Sequence, residues 1–263
     1  MTPMRQNERF SDRFSDEERR GVYRAIYERR DVRSHFLPDA VTDDVLERIL
    51  DAAHHAPSVG FMQPWDFLVI RDADIRQRVH RNFECASRRA AEVYQGEQRK
   101  LYDSLKLAGI VEAPVNVCVT CDHERPKGNG LGRQTDPAVD VYSTVCAVQN
   151  LWLAARAESL GVGWVSILDL EQLKTTLGIP PKLTPIAYLC IGYVSEFRPQ
   201  PDLEEKGWET RSSLESVTHF DRWGVAGQAS GTVSGSLPAE RHPKAHEAPG
   251  IEPSEAVHKG LKE

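Results

Sequence analysis

Between Asp136 and Leu160 the chain offers no polar stripe. Val141, Val145, Ala147, Val148, Leu151, Trp152, Ala154 and Ala155 place apolar side chains on nearly every face of a helix. A helix that is apolar all round cannot rest on a solvated surface, so it is either the central helix of the fold or part of a subunit interface. Asp136-Pro137 supplies its start and Gly161 its expected stop. The rest of the chain has to be layered around this rod.

Upstream, Ser15-Asp16-Glu17-Glu18 has the form of a capping box. Val22/Ile26 and Tyr23/Tyr27 recur four residues apart, which predicts a helix to about Glu28. A second helix opens at Thr42, carries Val45, Leu46, Ile49, Leu50 and Ala53 on one face, and ends before Pro57. Trp65–Ile70, Val115–Cys121, Val162–Leu168 and Pro185–Val194 read as strands. The charged run Asp72–Lys106 reads as helix with a break at Gly96, and Asp169–Leu177 as a short helix. Helices alternating with strands predict an α+β fold of three layers, a mixed central sheet flanked by helices.

Residues 1–224 hold all the material for one core. Residues 225–263 contain no aromatic side chain and are rich in Gly, Pro and Ser, so they are expected to stay disordered. His242, His246 and His258 in that tail lack the spacing and partners of a metal set, and no metal is expected. Lys plus Arg number 33 against 39 Asp plus Glu, a net charge of −6, which argues against a partner held by phosphate neutralisation such as nucleic acid. No apolar run reaches the ~20 residues of a membrane span. Met1–Arg20 is too polar for a secretory signal, and five scattered cysteines suit a reducing compartment, so a cytoplasmic location is expected.

Three segments have chemical character. Arg29-Arg30-Asp31-Val32-Arg33 sets three guanidiniums in five residues, a natural seat for a phosphate dianion, though a solvated charge run would look the same. Ala56-Pro57-Ser58-Val59-Gly60-Phe61-Met62-Gln63-Pro64-Trp65 is a tight loop whose polar and flat apolar side chains suit an amphipathic ring system, or else form a structural turn. Gly161-Val162-Gly163-Trp164-Val165-Ser166 permits close backbone approach beside a strand that carries Ser166. Other signals are weak. Cys118-Val-Thr-Cys121 lacks the second pair of a zinc ribbon and lies in a β-branched run, so its thiols are expected to be buried. Gly128-Asn-Gly-Leu-Gly132-Arg has neither phosphate-loop spacing and is expected to be a flexible loop.

Together the three segments resemble the nitroreductase-like flavoprotein superfamily, across roughly Tyr23 to Gly224. Phe61 stands where that family usually has Asn, and Asp31 where it has a small polar residue. These departures, with Gly132-Arg-Gln-Thr135, the Asp140–Trp152 block and Gly-Val-Gly-Trp-Val-Ser, resemble its 5,6-dimethylbenzimidazole synthase branch. The resemblance implies a domain-exchanged homodimer with FMN at the subunit interface. It implies further that FMN is the substrate: reduced FMN reacts with O2 and is fragmented to 5,6-dimethylbenzimidazole, the lower ligand of vitamin B12, and erythrose 4-phosphate. Carried onto this chain, Arg29, Arg30 and Arg33 bind FMN, with Arg211 as a second clamp. Ser58, Met62 and Gln63 lie along the ring, Leu107 and Gly163 also bind FMN, and Asp31 and Ser166 act at its reacting part.

A carboxylate near the ribityl chain can serve as general base, but the flanking arginines would keep Asp31 ionised and weakly basic unless desolvation opposes them. A plain salt-bridge role for Asp31 is the alternative. Ser166 can donate a hydrogen bond to the reacting region. The long Asp72–Leu107 segment is expected to act as a lid, because reduced flavin meeting O2 in open water sheds hydrogen peroxide. A closed lid would exclude a nicotinamide, which implies a separate NAD(P)H-dependent flavin reductase as partner. The competing functions are an FMN-dependent NAD(P)H nitroreductase or flavin reductase, and a non-catalytic flavin-binding protein.

Overall fold

The computed structural model describes residues 13–225, in two units, one ending at Thr210 and one beginning at Arg211. In the first, α1 (Asp16–Glu28) starts with the expected capping box: the Glu18 N–H donates to Ser15 Oγ at 3.2 Å and the Ser15 N–H to Glu18 Oε2 at 2.7 Å. α2 (Asp43–His54) follows Thr42 and buries Val45, Leu46, Ile49 and Ala53. β1 (Trp65–Ile70) leads to α3 (Ala73–Ala90) and α4 (Gly96–Ser104), and the chain breaks between these helices where Gly96 has φ +55°. β2 (Val115–Asp122), α5 (Val139–Ala157), β3 (Leu160–Val165), α6 (Leu170–Leu177), β4 (Leu183–Tyr193) and the short α7 (Asp202–Glu205) complete the unit.

The sheet has the order β1-β2-β4-β3, and all three strand pairs are antiparallel. The three layers are as expected, whereas the mixed character of the sheet shrinks to one parallel bridge between Asp31 and Val162. The reason is topological. β2 and β3 run in the same direction with α5 between them in sequence, which reads as a parallel crossover, but β4 inserts between them in the sheet. On one face α2 and α5 enclose Ile49, Val117, Val148, Leu151, Val162 and Leu189. On the other α3 and α6 enclose Val79, Cys118, Val165, Leu173 and Tyr188. Cys118 and Cys121 are free and buried, and desolvation lifts the Cys118 thiol to about 12.

α5 is the central helix, with Ala147, Leu151 and Ala155 fully buried, while Tyr142 remains 56% exposed. It stops earlier than Gly161: Ala157 is its last residue, and Ser159, at φ +62°, makes the turn. Gly161 and Gly163 lie inside β3, which ends at Val165, so Ser166 falls just beyond the strand. The shortening follows from Asp169, whose carboxylate accepts the Gln172 N–H at 3.0 Å to start α6 and draws the chain off the sheet.

β3 is an edge strand, and the segment after α1 docks on it. The Val32 N–H donates to the Val162 carbonyl at 2.9 Å. A Cβ on Gly163 would lie 1.9 Å from the Val32 carbonyl oxygen, so no side chain fits there while the two backbones touch. Gly163→Ala is therefore expected to lower stability by about 2–3 kcal/mol, the range for overpacking a tight contact. Urea unfolding of the variant measures it, and an unchanged midpoint would show that the docking is dispensable.

The second unit, residues 211–225 as described, holds a single helical turn at Glu215–Val217 and the ring pair His219–Trp223, 4.4 Å apart. The tail placed at 225–263 lies outside the described residues apart from Val225, as do its three histidines.

Candidate active site

Docking on β3 determines where each side chain of the arginine motif goes. Asp31 Oδ1 accepts the Trp164 N–H at 3.0 Å, and its Oδ2 is paired with Arg33 Nη2. The Asp31 side chain is 30% exposed and that of Arg33 only 14%. Burial lifts the Asp31 carboxyl above the ordinary carboxylate range despite the opposing pull of Arg33 and the Trp164 N–H, and negative Asp202 adds to the rise. Desolvation thus overcomes the neighbouring arginines, the balance that sequence alone left open.

The three arginines are not equivalent. Arg30 turns back on its own chain, donating from Nη1 to the Tyr27 and Arg29 carbonyls at 2.8 and 2.7 Å, and from Nη2 to the Pro199 carbonyl at 2.5 Å. Arg29 lies over the indole of Trp152, 5.2 Å from the ring centroid. That indole donates in turn to the Arg30 carbonyl at 3.2 Å. Arg33 keeps a buried Nε with no hydrogen-bond partner. A buried guanidinium donor left unpaired is costly unless an anion completes it. With both Nη atoms of Arg30 engaged by carbonyls, Arg29 and Arg33 suit a phosphate better than Arg30 does.

The loop from Ser58 to Gln63 forms a second cluster. Ser58 Oγ accepts the Gln63 N–H at 3.1 Å, and the Val59 N–H donates to Ser143 Oγ of α5 at 3.1 Å. Phe61 and Gln63 have φ of +54° and +46°, and Phe61 is 69% exposed under the Lys127 ammonium, 4.7 Å from its ring. Lys127 also pairs with Gln63 Oε1. Met62 departs from expectation: its side chain is fully buried and braces the loop from inside, so it presents no free surface for a ring. The glycine run at 128–132 is a clasp. A Cβ on Gly128 would lie 2.4 Å from the Gly60 carbonyl oxygen, so the two loops touch through bare backbone. Arg133 holds the clasp to α5 by its bond to the buried carboxylate of Asp140 at 2.8 Å.

The two clusters hang from one helix. Ser143 and Trp152 are nine residues apart on α5, about 14 Å along the axis. This spacing suits a ligand with a charged end and a flat end.

Ser166 is exposed, two residues beyond the Trp164 N–H that holds Asp31, and borders a cavity of about 220 Å3. The walls include Trp164, Leu168, Leu173, Pro185 and Ile186. Tyr188 also borders it, but its hydroxyl is tied to Asn116 Nδ2 at 2.9 Å, so Ser166 is the polar group left available. Leu107 lines a different cavity of about 300 Å3 with His80, Phe83 and Tyr102, under α3 and α4. α3 itself is pinned: the Asn82 amide donates to the Asp169 carbonyl at 2.9 Å and accepts the Asp169 N–H at 2.8 Å. These two bonds tie α3 to the start of α6. The bare face of Gly163 is filled by Val32, so its lack of a side chain serves the docking. Arg211 is exposed in the second unit. Sequence reasoning missed Trp152 and the Trp164 backbone N–H as supports of the motif, because neither has a local signature.

Residues 26–193 match the model of the nitroreductase family, and the chain belongs to that family. It is 43% identical over 183 residues to a 5,6-dimethylbenzimidazole synthase of Rhodospirillum rubrum, spanning 70% of this chain and 86% of that one. A synthase of the same description from Rhodobacter capsulatus is 42% identical, spanning 69% and 87%. Among solved structures, iodotyrosine deiodinase bound to FMN and 3-iodo-L-tyrosine superimposes with a TM-score of 0.61 at 21% identity, over 78% of this chain and 99% of that one. A BluB-like flavoprotein from Clostridium difficile 630 gives 0.59 at 18% identity, over 76% and 99%.

The raised Asp31 carboxyl has a consequence for stability. The native state holds that proton more tightly than the unfolded chain, so stability falls as pH rises from the unfolded value through the raised folded one. Asp31→Asn lacks this loss. Urea unfolding from about pH 3 to about pH 7 is expected to show the variant gaining on the wild type through that window and levelling off above it. A pH-independent difference between the two proteins would contradict the assignment.

Proposed function

We propose that the chain acts as a 5,6-dimethylbenzimidazole synthase, converting reduced FMN and O2 to 5,6-dimethylbenzimidazole and erythrose 4-phosphate. The observation that carries this reading is a desolvated carboxylate, Asp31, paired with Arg33 and held by the Trp164 N–H, two residues before the exposed Ser166. The identity with the Rhodospirillum rubrum and Rhodobacter capsulatus synthases supports it. The residues fit FMN: Arg29 and the unpaired Arg33 Nε suit its phosphate. Ser58 and Gln63 suit its ring, whereas Leu107 lines the separate cavity under α3 and α4 and Gly163 serves the docking of Val32. Reduced FMN supplies the electrons and the ring that becomes the benzimidazole, and O2 is the oxidant.

In this reading Asp31 accepts the proton released from the ribityl chain, and its fixed Oδ1 keeps the other oxygen aimed at the substrate. Ser166 donates a hydrogen bond at the reacting part of the ring. Arg30, bonded to the Tyr27 and Pro199 carbonyls, holds the motif's backbone in place. Exposed Val22, Tyr23, Ile26 and Tyr27 on α1, with Tyr142 and Val145 on α5, support a homodimer that covers them. No helix among the described residues is long and apolar enough to cross a membrane. A cytoplasmic enzyme served by a separate NAD(P)H flavin reductase completes the proposal.

Aerobic incubation with FMN and an independent flavin-reducing system, followed by mass detection, is expected to yield 5,6-dimethylbenzimidazole. Asp31→Asn is expected to lower the yield by about 100-fold or more while FMN still binds, the usual scale for loss of a general base. Recovery of intact FMN from the wild-type reaction, with rapid anaerobic reduction of a nitroaromatic by NADPH, would favour a conventional nitroreductase. Recovery of intact FMN with no turnover of either kind would leave a flavin-binding protein.

A further inference from the structure

We propose that Arg33 is a substrate-operated restraint on Asp31: the phosphate of the incoming flavin draws the guanidinium off the carboxylate and thereby turns Asp31 into a competent base. The inference rests on the synthase reading above and adds to it a reason why the substrate must be phosphorylated.

Asp31 has two anchors of different kinds. Its Oδ1 is held by the Trp164 backbone N–H at 3.0 Å, and that backbone is locked into β3. Its Oδ2 is held by the Arg33 side chain, which can move. Arg33 also has a reason to move, because its buried Nε has no partner while its Nη2 is spent on Asp31. A phosphate dianion offers a guanidinium two parallel oxygens and more charge than one carboxylate. Arg30 cannot take this part, since three carbonyls already hold it. Arg29, poised over Trp152, is the motif's other arginine open to the same phosphate.

Withdrawal of Arg33 removes the cation that opposes desolvation at Asp31. The carboxylate stays in place on the Trp164 N–H and becomes more basic, with no change in backbone. The other charges felt at this point are few. Asp202 on α7 is negative and favours the proton, and the neutral Cys190 thiol of β4 senses Asp31 from the far side. β3 offers only backbone. Riboflavin, which lacks the phosphate, would leave Arg33 on Asp31 and the base restrained. Discrimination against it would then appear in kcat as well as in KM.

The test is a carbon-13 NMR titration of the Asp31 carboxyl, assigned by its loss in Asp31→Asn, in the full-length protein alone, with oxidised FMN and with riboflavin. No turnover is needed. The expected midpoint is higher by about one pH unit or more with FMN and close to the free value with riboflavin, the size of effect that follows loss of an adjacent opposite charge. Arg33→Met is expected to start at the high midpoint, with FMN moving it little further. Arg33→Lys, which keeps the charge but not the fork, should restore much of the wild-type behaviour. By reciprocity, FMN affinity should rise as pH falls through the Asp31 midpoint, and Asp31→Asn should bind FMN more tightly with that pH dependence gone. FMN binding with an unmoved midpoint, or an equal shift with riboflavin, would overturn the restraint and leave the synthase reading standing. Failure of FMN to bind at all would overturn both. If Arg33→Met does not fold, the wild-type titration still decides.

Discussion

The contact on which the site depends is a backbone crossing: the chain after α1 runs along the edge of β3 and presses the Val32 carbonyl into the space where Gly163 would carry a side chain. A single hydrogen bond, Val32 N–H to Val162 O, sets the register. From that register follow the pairing of Asp31 with the Trp164 N–H, the burial that makes its carboxyl less acidic, and the different fates of the three arginines. A glycine here is a demand of packing, because any Cβ would push the motif off the sheet.

α5 carries the second constraint. Its apolar girth lets it serve all four sheet strands, α2 and α1 at once, and its length holds the arginine motif and the Ser58–Gln63 loop at a fixed separation. Trp152 near one end supports Arg29 and the Arg30 carbonyl. Ser143 near the other receives the loop, and Asp140 anchors the glycine clasp through Arg133. A rigid helix with chemistry hung at both ends is a good scaffold for a long ligand, since neither cluster can drift relative to the other.

Two features set this site apart from a general-purpose flavin pocket. A carboxylate lies within the arginine cluster, where a neutral side chain would bind phosphate with less repulsion. Phe61 occupies the loop where an amide would reach a flavin edge, and it packs beneath Lys127 instead. Both features make sense if the bound flavin is to be consumed.

Much of this was legible in the chain itself. The capping box at Ser15–Glu18, the faces of α2 and α5, the strands at 65–70 and 115–121 and the chemical character of the motif around Asp31 are local, written in spacing and residue type. What tertiary structure alone decided is everything that depends on a partner distant in sequence. β4 enters between β2 and β3 and makes the sheet antiparallel. Ser159, not Gly161, turns the chain out of α5, because Gly161 is needed inside a strand. Met62 is drawn inward by the glycine clasp, and Asp31 becomes less acidic through burial that no neighbour in sequence reveals. Residue types set which groups could do chemistry, but desolvation and pairing arise between segments, and these settle which of them are placed to do it.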